Sequence, residues 1–149
     1  ASGYDGTGTA IAVLDSGVDA QHPFFGGRVV EEACYSSTVA GTSRTVCPNG
    51  LEEQTGPGAA APCLMTNCEH GTHVAGIAAG EGTSFSGVAK GARIMAVQVF
   101  SEVIDPATCP NKSVWLIVIR ATTQSRRKNT PLIFLLLRMR ISTDQYSNK

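Results

Sequence analysis

Hydrophobic and polar positions divide this chain into short apolar runs separated by long polar stretches. Thr9–Leu14 (Thr-Ala-Ile-Ala-Val-Leu) is a continuous apolar run between Gly8 and Asp15-Ser16-Gly17. An uninterrupted run of this length predicts a strand buried on both faces, as in a parallel sheet. From 16 to 69 the sequence is rich in Gly, Pro, Ser, Thr and Cys and holds no period. That predicts a long loop region, with one short strand near Arg28–Val30. His70–Gly80 (His-Gly-Thr-His-Val-Ala-Gly-Ile-Ala-Ala-Gly) predicts a helix of small residues. Its Ala and Gly positions allow close approach of a neighbouring element, at a cost in intrinsic propensity, and Gly80 and Gly82 stop it. Ala92–Phe100 predicts a second buried strand. Strand, helix, strand in this order predicts an α/β domain with a parallel sheet and flanking helices.

With 149 residues, there is room for one compact domain. A formal net charge of zero hides a split: residues 1–112 carry about −6 and residues 113–149 about +6. The basic part is also apolar and carries no aromatic-basic interleaving, which argues against a solvated nucleic-acid arm. The longest apolar runs, Val114–Ile119 and Leu132–Leu137, are six residues each, far short of a membrane span. The sequence begins without Met or a leader, which reads as a processed or excised piece.

Five cysteines occur, and four of them, Cys34, Cys47, Cys63 and Cys68, fall in the loop-rich stretch. Clustered cysteines there predict disulfides and an oxidising, extracellular compartment. Four cysteines allow three pairings, and all three stay open. Cys109 is left over. A rival reading takes Cys63, Cys68, His70 and His73 as a Cys2His2 zinc module, although the Cys68–His70 spacing is tighter than structural fingers use. A disulfide-stabilised binding module without catalysis is the other alternative.

Asp15 follows a buried strand and His70 opens a helix. In open α/β sheets reactive groups collect outside the carboxyl ends of the strands, so both can face one crevice. A carboxylate beside an imidazole fixes the tautomer and stabilises the imidazolium formed when the ring takes a proton from a nucleophile.

The joint pattern is more specific than either residue. Gly8-Thr9-Ala10-Ile11-Ala12-Val13-Leu14-Asp15-Ser16-Gly17-Val18, followed by His22-Pro23, resembles the aspartate motif of the subtilisin-like serine proteases. His70-Gly71-Thr72-His73-Val74-Ala75-Gly76 resembles their histidine motif, and Gly87-Val88-Ala89 with Ala92 and Ile94–Phe100 resembles the strand that follows. The resemblance covers about residues 3–103 and implies the opening part of a subtilisin-like catalytic domain, with an inserted cysteine-bearing loop over 31–69. It implies Asp15 as orienting acid and His70 as general base, with His73 structural and hydrogen-bonded in the helix packing, and His22 shaping the turn before Pro23. Further implications are a secreted endopeptidase, a peptide or protein substrate, a propeptide in the parent protein, no required cofactor, and calcium as a stabilising ion without assignable ligands.

The family's serine lies in a Gly-Thr-Ser-Met-Ala-like helix start, and no such stretch follows His70. Gly82-Thr83-Ser84 and Gly41-Thr42-Ser43 share three letters but read as decoys, and no asparagine answers to the family's oxyanion donor. In the tail, Leu137-Arg138-Met139-Arg140-Ile141-Ser142 matches the family's cleft-lining segment only at Met139. Two arginines at inward positions of a parallel strand bury unpaired charge. The expectation is therefore a divergent tail over 113–149 that is out of frame, a retained intron or a decayed gene's end. Its two apolar runs are aggregation-prone.

Overall fold

The computed structural model describes residues 3–65 and 68–104, together with the backbone of two short strands at 115–117 and 132–134. The buried run after Gly8 is strand β1, Ala10–Asp15. A 3-10 turn follows at Pro23–Phe25, then β2 (Val29–Tyr35), β3 (Ser43–Arg44) and β4 (Glu53–Thr55). The small-residue segment is helix α1, His70–Ala79. After it come β5 (Arg93–Gln98), β6 (Phe100–Val103), β7 (Trp115–Ile117) and β8 (Leu132–Phe134).

Five strands form a sheet in the order β4-β2-β5-β1-β8. β1 pairs parallel with β5 on one side and β8 on the other, and β2 runs parallel to β5. Only β4 is antiparallel, at the edge beside β2. A second, antiparallel sheet has the order β3-β6-β7. The architecture is a mixed sheet with a helix, consistent with an α/β fold, and the parallel centre is the part that the apolar runs predicted.

Two expectations need correction. The stretch expected as loop holds three strands, and β2 runs on to Tyr35 rather than ending near Val30. Glu31 and Glu32 break the apolar pattern in the middle of β2 and so conceal it. The strand forms because β5 pairs with it across a register shift between Val29 and Glu31, while the Glu32 carboxylate accepts the Ala60 N–H at 3.3 Å. The expected strand Ala92–Phe100 is two strands in different sheets. The chain turns at Val99, whose N–H is donated to the Asp15 carbonyl at 3.1 Å, while the Phe100 N–H goes to Gln98 Oε1 at 2.7 Å.

The core lies between α1 and the sheet. Val13, Ile94 and Ala96 of the strands pack with Ala75 and Ala79 of the helix, and Val18, Phe25, Ala60 and Ala92 close the sides. Buried Gly71, Ala75 and Ala79 recur every four residues, so a stripe of small side chains faces inward. Gly80 ends the helix in extended backbone, φ −66° and ψ 151°, not in the left-handed conformation that glycine most often supplies there. It is glycine because a Cβ would run into the Phe24 ring. Arg28 ties the same end down. Its guanidinium donates to the Ala79 carbonyl at 2.6 Å, the Ala92 carbonyl at 2.9 Å and the Phe24 carbonyl at 3.3 Å. A cation on the last carbonyl of a helix also meets the negative end of its dipole.

Candidate active site

The end of β1 and the start of α1 meet at the carboxyl edge of the sheet. Asp15 is the last residue of β1 and His70 the first of α1, and their side chains touch: His70 Nδ1 lies 2.8 Å from Asp15 Oδ1. A carboxylate only accepts, so Nδ1 carries the proton and donates it, which leaves Nε2 as the basic nitrogen of the neutral ring. The Asp15 side chain is 10% exposed and that of His70 43% exposed, so the carboxylate is enclosed and the ring opens to solvent on its far side.

Three contacts hold this pair in place. The Ser16 backbone N–H donates to the same Oδ1 at 2.7 Å, fixing the carboxylate against its own turn. The Ser16 hydroxyl donates to the Cys68 carbonyl at 3.0 Å and accepts the Gly71 N–H at 3.1 Å. Glu69, at the N-cap position, makes no side-chain cap of its own, so Ser16 satisfies a helix-start N–H from another element. Next to Gly71, the Thr72 hydroxyl accepts the Asp19 N–H at 2.9 Å. The approach is close enough that a Cβ at Gly71 would overlap the Gly17 carbonyl oxygen and sit 3.1 Å from the Asp15 Cβ. Gly17 itself has φ +97°, and the Ala60 and Ala61 carbonyls leave no room for a side chain there.

Cys34 pairs with Cys47 and Cys63 with Cys68. This choice among the three pairings overturns the zinc reading, because both of its thiols are consumed in one disulfide. The second bridge lies directly before α1 and fixes the residue whose carbonyl receives the Ser16 hydroxyl. Among the described residues no group of three His, Cys, Asp or Glu side chains converges as a metal site would.

The remaining candidates lie elsewhere. His22 Nδ1 accepts the Phe24 N–H at 3.2 Å and so shapes the turn at Pro23 as expected. His73 was expected to be hydrogen-bonded in the helix packing, but it is exposed and its ring bonds to none of the described residues. Three residues along the helix from His70, it points away from the Gly71–Ala75–Ala79 stripe. Ser43 is buried in β3, its hydroxyl donating to the Ser37 carbonyl at 3.2 Å. Ser84 is exposed beyond the far end of α1, a helix about 15 Å long, from His70. Neither serine meets the Asp15–His70 pair. Ser16 and Gly71 were within the motifs noticed, but their roles depend on a contact across 55 residues. Cys109 and the segment 137–142 lie outside the described residues.

A strand-end aspartate hydrogen-bonded to a helix-opening histidine, built from motifs in that order, defines the class. The chain belongs to the subtilase family: the Peptidase_S8 family model, described as "Subtilase family", matches residues 6–104. Among curated proteins it is similar to Bacillopeptidase F of Bacillus subtilis (strain 168), 36% identical over 110 residues, which is 68% of this chain and 7% of that protein. It is similar also to the Calcium-dependent proteases of Nostoc sp. (strain PCC 7120) and Trichormus variabilis, each 34% identical over 98 residues, 65% of this chain and 12% of theirs. The chain thus spans a small part of the length of these relatives. No helix among the described residues is long and apolar enough to cross a membrane.

Proposed function

We propose that this chain carries the aspartate–histidine half of a secreted serine endopeptidase, with Asp15 as orienting acid and His70 as general base. The observation that carries the reading is the 2.8 Å bond from His70 Nδ1 to a carboxylate that is also held by Ser16 N–H. In the reaction, a serine hydroxyl outside the motifs of this sequence attacks the peptide carbonyl and its proton passes to His70 Nε2. The imidazolium, stabilised by Asp15, then gives the proton to the leaving amine, and water resolves the acyl-enzyme by the same route.

Residues 1–112 make up the partial catalytic domain in this reading, and 113–149 a divergent tail. Since no Gly-Thr-Ser-Met-Ala-like stretch follows His70, the 149-residue chain is inactive alone. The two disulfides fit an oxidising, extracellular location. Peptides or proteins are the substrates, and a propeptide is expected in the parent. Two relatives are named Calcium-dependent proteases. Calcium is accordingly a candidate stabilising ion, but the described residues offer no cluster to which it is assigned.

The test is a hybrid in which residues 6–104 replace the matching segment of Bacillopeptidase F. The hybrid is expected to hydrolyse a peptide substrate and to take a fluorophosphonate label, both lost in His70→Ala, while the 149-residue chain alone takes no label. A folded hybrid that cleaves equally well without His70 would leave the non-catalytic binding module as the correct reading.

A further inference from the structure

Gln98 ends β5 as the register partner of Asp15 on one side and of Cys34 on the other. Paired residues of adjacent strands put their side chains on the same face, with backbones about 4.8 Å apart. The glutamine is fully buried, 0% exposed, at the carboxyl edge where the Asp15–His70 pair sits. Its Oε1 accepts the Phe100 N–H at 2.7 Å, which fixes the amide: turned over, the NH2 would face another donor. The other end is left over. Among the described residues Gln98 Nε2 is the buried side-chain nitrogen or oxygen without a hydrogen-bond partner. An enclosed N–H of this kind is costly unless an acceptor is within reach.

The neighbouring strand holds a carboxylate at the register partner Asp15, to which Nε2 is not bonded in the structure. Both described donors to the Asp15 carboxylate, Ser16 N–H and His70 Nδ1–H, go to Oδ1. Oδ2 receives none from the described residues, in a side chain only 10% exposed. Oδ2 is not among the buried atoms left without a partner, and as a carboxylate oxygen it has lone pairs that can take a neighbouring donor.

We propose that Gln98 is a positioning residue for Asp15, its Nε2–H serving as the donor for Oδ2, the carboxylate oxygen that β1 and α1 leave unused. With both oxygens held, the carboxylate cannot rotate and Oδ1 stays aimed at the imidazole. Gln98 touches no substrate; it acts through Asp15. The inference rests on the proposed Asp15–His70 pair, and the experiment separates the two.

Uniformly labelled 149-residue protein is examined by NMR at neutral pH. A through-hydrogen-bond coupling is expected between Gln98 Nε2 and the Asp15 carboxyl carbon, together with a downfield, slowly exchanging His70 Nδ1–H resonance. In Gln98→Met, which keeps length and apolar bulk, that Nδ1–H is expected to exchange about tenfold faster, as the loss of one charge-assisted hydrogen bond implies. A residue with a packing role alone would lower stability and leave the His70 signal unchanged. If the wild type shows no hydrogen-bonded Nδ1–H at His70, the pair itself is overturned. If that resonance is present, yet no Gln98–Asp15 coupling is seen and Gln98→Met leaves the resonance unchanged, the positioning role alone is overturned. Should Gln98→Met fail to fold, the wild-type coupling decides: its presence supports the role and its absence ends it.

Discussion

The Ser16 hydroxyl caps a helix from a distant part of the chain, accepting the N–H of Gly71, 55 residues away, at 3.1 Å. That contact joins the two motifs physically. The turn that presents Asp15 also satisfies the start of the helix that presents His70, so the carboxylate and the imidazole are placed by one local arrangement.

Replacing Ser16 with Ala is expected to remove the bond to the Cys68 carbonyl as well as the cap. The expected loss is about 1–2 kcal/mol, the usual worth of a capping hydroxyl with buried partners. Urea unfolding measures it. Ser16→Thr, which keeps the hydroxyl, is expected to lose less. Equal stability of Ser16→Ala and wild type would show that the cap is idle.

Gly71→Ala separates propensity from contact. On propensity alone, alanine inside a helix gains about 1 kcal/mol over glycine. Here the added Cβ meets the Gly17 carbonyl and the Asp15 side chain, and both are anchored. Net destabilisation by about 1–3 kcal/mol is expected, as for an overpacked core site, along with loss of the His70 Nδ1–H signal. A stabilised variant would contradict the close approach.

The disulfides are expected to differ in weight. Cys34–Cys47 closes a loop of sequence separation 13 and Cys63–Cys68 one of separation 5. Loop-closure entropy gives about 3 kcal/mol for the first and about 2 kcal/mol for the second. Paired Cys→Ser variants, unfolded in urea, test the order. Only the Cys63/Cys68 variant is expected to alter the His70 resonances, because Cys68 is tied to Ser16.

Arg28→Ala is expected to leave the Ala79 and Ala92 carbonyls without their guanidinium donor. A cost of about 2–3 kcal/mol follows for hydrogen bonds to a charged group, and Arg28→Lys is expected to recover only part of it because one ammonium cannot reproduce the planar fork. Thermal and urea unfolding of both variants provide the check.

What the sequence made legible followed from local pattern. The apolar run Ala10–Leu14 and the small-residue helix need no distant information, and Asp15 and His70 stand at their ends. β2 escaped because Glu31 and Glu32 interrupt its apolar positions, and only pairing with β5 makes them strand residues. The cysteine pairing escaped because it is set by tertiary distance, and fixing it removed the zinc alternative. His73 escaped for a different reason: its place in a recognised motif suggested packing, whereas helix geometry turns it outward to solvent. Arg28 and Gln98 gave no signal at all, since their roles rest on carbonyls and a carboxylate supplied by other elements.

The most direct test of the central claim is the turnover of Asp15→Asn in the Bacillopeptidase F hybrid, compared with the unsubstituted hybrid on one peptide substrate. Asparagine keeps the shape, but its amide can hold the imidazole in the wrong tautomer. A fall in kcat of about 10⁴-fold with the fold intact is expected. Turnover within a few-fold of the unsubstituted hybrid would mean that the carboxylate beside His70 takes no part in the chemistry.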